Sequence, residues 1–259
     1  MNIIAAAETF VAFIIAVCVH EAAHAAMAAA LGDGTPIRQG RFSLSPRRQM
    51  AFMGTLVAII LAFNIPPAGL GWGRPVELDT RRMRVGPDAG IILVAIAGPI
   101  VNLVLGIVLA IIPRFLPGYA MLGRVAGPCA GPGIVPQHGA VLQTCLSAAQ
   151  PIYLLRIEQF IFALAATNIL LALVNILPLY PLDGYSVVFA LLPNAPAIRW
   201  RKWQPSMEII LLIIFFLIPA IFHLIGLTFL DPAYWFASLA DSVAAIFAGA
   251  PYVPVYLLL

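Results

Sequence analysis

Apolar residues fall in long runs along this chain, with most of the charged residues gathered between them. Four runs, residues 9–31, 89–113, 160–179 and 207–230, reach the roughly 20 residues that a helix needs to cross a bilayer. Each predicts a transmembrane helix. Residues 51–63 are apolar too, but they stop at Asn64, Ile65, Pro66 and Pro67; so short a run is expected to enter the membrane and return. Residues 233–248, with Tyr234 and Trp235 at one end, predict a short span or a helix at the interface. Between the first two runs Phe42 and Leu44 alternate with Arg41, Ser43 and Ser45. A period of two predicts a short strand.

Composition agrees with the runs. The 259 residues are 62% hydrophobic and 10% charged, against about 45–50% and about 25% in soluble domains. The fold class expected is an α-helical integral membrane protein. It is a bundle of about four to six transmembrane segments with a re-entrant segment and a short membrane-associated strand region. The N-terminus has no basic stretch and no nearby small-residue cleavage site, so no removable signal peptide is expected. Residues 114–155, rich in Gly and Pro, are too short for a typical separate domain. The chain reads as one membrane-embedded domain over 1–259, with a catalytic core over about 1–190 and a C-terminal helix and tail over 191–259. Cys129 and Cys145 share the long loop, and a disulfide between them or two free thiols are equally compatible with the sequence.

The basic residues set the orientation. Arg38, Arg41, Arg47 and Arg48 precede the short run, and Arg74, Arg81, Arg82 and Arg84 follow it. If that run re-enters, all eight lie on one side, joined there by Arg199, Arg201 and Lys202. Only Arg114, Arg124 and Arg156 lie opposite. The richer side is cytoplasmic by the positive-inside rule, which leaves the N-terminus extracytoplasmic in a multi-pass protein of the cell membrane.

One helix carries groups that lipid resists. His20, Glu21 and His24 interrupt the first apolar run, and ionisable residues inside a membrane usually serve a function. On a helix, residues four apart share a face about 6 Å apart along the axis, which suits two ligands of one metal ion. This is the H-E-x-x-H arrangement of zinc proteases, with two imidazole ligands and a glutamate base. The competing reading is packed histidines that hydrogen-bond between helices. His20 precedes Leu31 by eleven residues, so the site lies about 16 Å inside the helix end.

Zinc needs at least one more protein ligand. His138 falls in the far loop, and His223 stands alone in the last long run. Asp183 is the better candidate. It follows Pro178 and Pro181, which break the helix, and precedes Gly184, which lets the chain turn. An ordinary capping aspartate would have the same surroundings.

Several stretches together resemble the site-2 proteases, zinc metalloproteases that cut their substrates within the membrane. They are HEAAH (20–24), GRFSLSP (40–46), GWGRPV (71–76), AGPIVN (97–102) and NILPLYPLDG (175–184). The likeness is to the compact bacterial members, and nothing resembles the PDZ or CBS domains of larger ones. It implies that His20, His24 and Asp183 bind one zinc ion, that Glu21 is the catalytic base, and that Asn175 lies near bound substrate. Departures are Ser45 where asparagine is common, the run Arg47, Arg48, Gln49, and Tyr185 where a small residue is frequent.

The expected reaction is zinc-dependent hydrolysis of peptide bonds in or near transmembrane segments, on the cytoplasmic side of the bilayer. A substrate helix must be locally unwound, and the strand expected around Phe42, Ser43 and Leu44 offers an edge to hold it. The expected partners are a transmembrane protein or peptide and the lipid bilayer, with no nucleic acid. The rival is a non-enzymatic metal-binding membrane protein or transporter with the same ligands. A transporter favours polar groups through both halves of the bundle, whereas here the ligand candidates gather at one level.

Overall fold

The computed structural model describes residues 3–63, 70–116, 152–225 and 231–248. These residues form a helical bundle: α1 (Ile3–Ala30), α2 (Phe52–Ala62), α3 (Pro87–Ile111), α4 (Ile152–Asn175), α5 (Asp183–Leu191) and α6 (Asn194–Lys202). Helix α7 (Gln204–Leu212) runs on through a π-helical stretch, Ile213–Leu217, into Ile218–Leu224. Helix α8 (Pro232–Ala248) closes the described chain. Cys129, Cys145 and His138 lie outside the described residues, and so does any pairing of the two cysteines.

Among the described residues two helices are long and apolar enough to cross a membrane, α1 over Ala6–Ala30 and α3 with its 3-10 extension over Pro87–Phe115. The third expected run is helical earlier and stops sooner than its apolar residues suggest. Helix α4 begins at Ile152 and ends at Asn175, because the segment holding Pro178 and Pro181 cannot continue an α-helix. The two short runs are also helical, as α2 and α8.

Burial on α3 is arranged for lipid. Gly98, Asn102, Gly106 and Ala110, four residues apart, are buried, while Ile100, Val101, Leu103, Val104 and Val108 are exposed. Large apolar groups point outward and small or polar ones inward, as expected where lipid is the solvent and small residues let helices approach. A Cβ on Gly106 would lie 2.9 Å from the Ala165 carbonyl of α4. Helix α3 packs on α1, α4 and α5, and α8 packs on α4. An alanine face at Ala233, Ala237, Ala240, Ala244 and Ala248 is buried on α8.

The strand expected around Phe42–Ser45 is not formed. Residues 39–42 make a turn around Gly40, at φ +70°, between the short helices Thr35–Arg38 and Pro46–Gln49. Gln49 explains why alternation failed as a signal. Its Nε2 donates 2.6 Å bonds to the carbonyls of Arg41 and Ser43, so a side chain takes the acceptors a ladder would use. Among the described residues the only β-type pairing is one antiparallel bridge, Met50 with Gly73. The connectors are pinned from below by Asp33, whose carboxylate accepts the N–H groups of Thr35 at 2.9 Å and Asp79 at 2.7 Å.

Candidate active site

Helix α1 brings His20, Glu21 and His24 to the bundle interior, where each is 6% exposed. They can sit there because α3 presents a glycine opposite. A Cβ on Gly98 would lie 2.6 Å from ring atoms of both His20 and His24. Pro99 follows inside the same helix; lacking an N–H, it leaves the Ala95 carbonyl without its helical donor. One residue earlier, the Val94 carbonyl is 2.7 Å from His24 Nδ1.

Asp183 arrives from the other side of the site. The chain leaves α4 at Asn175, turns through Pro178 and Pro181, and starts α5 at Asp183. The turn is tight enough that a Cβ on Gly184 would lie 2.5 Å from the Leu177 carbonyl. Asp183 Oδ2 is then 2.9 Å from His20 Nε2, and Oδ1 is 3.2 Å from His24 Nε2. One potential ligand atom from each of the three residues lies within 4.8 Å of the others.

The donor set fits a cation. A carbonyl only accepts, so His24 must donate to Val94 from Nδ1–H. A neutral His24 then turns the lone pair of Nε2 towards a carboxylate oxygen that also carries only lone pairs. Two acceptors 3.2 Å apart require positive charge between or upon them. Two imidazoles and one carboxylate are a ligand set used for zinc, with the second imidazole nitrogen fixed by a carbonyl.

Glu21 shares a cavity of about 230 Å³ with the three ligand candidates. Its Oε2 is 3.5 Å from Arg41 Nη2. Arg41 is buried, 6% exposed, and its guanidinium also donates to the carbonyls of Arg48 and Arg74. Arg74 N–H donates to the Gln49 carbonyl at 2.7 Å. These bonds hold the extended segment 71–78 along the cavity, and Gly73 touches Glu21 there.

The structure therefore brings together His20, Glu21, His24 and Asp183, and Asn175 lines the same cavity. Asn175 spends one N–H on the Leu171 carbonyl at 2.9 Å, leaving its oxygen and second N–H. Phe42, Ser43 and Leu44 do not line it; Phe42 and Leu44 are exposed outside. Arg41, Gly73, Val94 and Gly98 are neighbours of the site that the sequence does not single out. Arg41, Gly73 and Gly98 fall in GRFSLSP, GWGRPV and AGPIVN, which carry only the resemblance, and Val94 falls in none of them.

The model of peptidase family M50 matches residues 8–221, which include every residue of this site. The chain belongs to that family. It is also 30% identical, over 210 residues, to the protein named "Putative zinc metalloprotease YwhC" of Bacillus subtilis (strain 168). That alignment covers 81% of this chain and 80% of the relative. No solved structure matches the chain. The site-2 protease resemblance read from the motifs and the matched family are the same group, so the activity is that of a zinc-dependent intramembrane peptidase.

Proposed function

We propose that His20, His24 and Asp183 hold one zinc ion and that Glu21 is the general base in hydrolysis of a peptide bond of a membrane-spanning substrate. The observation that carries this is the convergence of three ligand atoms within 4.8 Å beside a glutamate that lines the same cavity. Zinc supplies Lewis acidity and brings the pKa of bound water towards about 7. Glu21 accepts a proton from the attacking water as its oxygen bonds to the scissile carbonyl carbon. The C–N bond then breaks, and Glu21 returns the proton to the departing amine. Asn175 offers its free N–H and oxygen to the backbone of an unwound substrate. The extended segment 71–78, which lines the cavity, runs beside that backbone, the place first expected for Phe42–Leu44.

The topology we infer has the N-terminus outside the cytoplasm, α2 re-entrant, and residues 71–88 cytoplasmic. The division of eleven basic residues against three supports it, with the site then in the cytoplasmic half. Packing of α8 on α4 supports one domain through 1–259. The test is incubation of purified protein with single-span membrane peptides, with and without a chelator. Cleavage that a chelator abolishes and zinc restores is expected; metal binding without cleavage of any peptide would favour a carrier.

A further inference from the structure

Tyr185 stands two residues beyond Asp183, within the first turn of α5, and lines the cavity. It is 5% exposed and locked in an aromatic cluster. Its ring lies nearly parallel to Trp200 of α6, at 5.9 Å and 14°, and to Phe189 of α5, at 6.2 Å and 17°. Tyr180 meets it edge-on at 5.5 Å and 82°. These separations are those of favourable aromatic pairs. These three rings hold Tyr185 at its place in the wall.

Tyr180, Tyr185 and Gln204 line the cavity that holds Glu21. Trp72, Val76 and Leu78 line it too, so the lining beside the ionisable groups is largely apolar. Tyr185 is the bulky group next to Asp183 in that lining, and its close-packed aromatic setting does not yield cheaply to a large substrate side chain.

Building on the proposed function, we infer that Tyr185 is a specificity-determining residue that fills a side-chain pocket beside the scissile bond and restricts it to small residues. A smaller group at 185 opens that pocket between Phe189, Trp200 and Tyr180. Tyr185 is then a narrowing relative to the small residue that the family resemblance leads one to expect.

The test uses single-span peptides carrying Ala, Leu or Phe at each of the three positions on either side of the cut. The parent should prefer Ala to Phe by at least about tenfold in kcat/KM at one position, the discrimination that an apolar pocket can give. Tyr185→Ser should bring that ratio below about threefold, by accelerating the Phe peptide, and leave the other positions alone. The same relaxation should appear in peptide binding to Glu21→Gln protein, read by tryptophan fluorescence. Tyr185→Leu and Trp200→Ala provide the same reading if Tyr185→Ser does not fold, with intermediate ratios expected. An unchanged ratio in any active, zinc-loaded variant of these overturns the inference alone. A parent that cleaves no peptide would overturn the proposed function and this inference with it.

Discussion

Gly73 lies so close to Glu21 that a Cβ on it would fall 2.7 Å from the carboxylate carbon and closer still to Oε1. The backbone at Gly73 is held in place by its bridge to Met50 and by the Arg74–Gln49 bond. Glu21, not Gly73, must give way when a methyl group is added. Gly73→Ala is expected to lower kcat at least tenfold while zinc content stays near one equivalent. Metal analysis beside a cleavage assay checks it, and parent-level turnover would show that the contact is not needed.

Glu21 and Asp183 should fail differently. Glu21→Gln keeps size and hydrogen bonding but cannot take up the proton. It is expected to retain zinc and lose cleavage by about 100-fold or more. Asp183→Ala removes the carboxylate lying 2.9 Å and 3.2 Å from the two imidazoles, so zinc occupancy and activity should fall together. Full occupancy in Asp183→Ala would remove that residue from the ligand set.

Arg41 joins Glu21 to the carbonyls of Arg48 and Arg74. Lysine keeps the charge but has no planar fork with which to serve several acceptors at once. Arg41→Lys should therefore reduce cleavage about tenfold without releasing zinc, and Arg41→Ala more. Equal activity of the lysine variant and the parent would mean that charge alone matters there.

Orientation is open to labelling. Val85 is 46% exposed at the start of α3, and Phe115 is 81% exposed just past its end. In a background with Cys129→Ser and Cys145→Ser, Phe115→Cys should react with an impermeant maleimide on intact cells. Val85→Cys should react only after permeabilisation. The reverse pattern would invert the topology and place the site in the outer half.

Acid should weaken the connectors. Burial works against the charge of Asp33, but hydrogen bonds from Thr35 and Asp79 and the nearby Arg38 guanidinium outweigh it and hold the carboxyl below the usual carboxylate range. A folded-state pKa below the unfolded one stabilises the fold at pH above the unfolded value, about 4. That contribution is lost as pH falls through the folded value. Asp33→Ala should cost about 1–3 kcal/mol near neutral pH, with the difference from the parent shrinking below about pH 4. Thermal unfolding in detergent across that range is the measurement, and a gap independent of pH would contradict it.

The helical runs and the chemistry of α1 are legible in the sequence alone. Both are local: a run of apolar residues must satisfy its own backbone bonds in lipid, and a four-residue spacing puts two histidines on one face. The sequence also put Asp183 after a proline-broken turn, where ligand and capping residue look alike. The tertiary structure adds what no local pattern carries, the approach of α5 across 163 residues of chain to within 2.9 Å of His20, and this supports the ligand reading. The fate of Phe42–Ser45 was decided only there. Alternation reports a local preference, and Gln49 with Arg41 overrode it by bonds to carbonyls that no pattern of hydrophobicity records. Gly73, Val94 and Gly98 act through closeness of backbone to Glu21, His20 and His24, and closeness between distant segments is a property of packing, not of period.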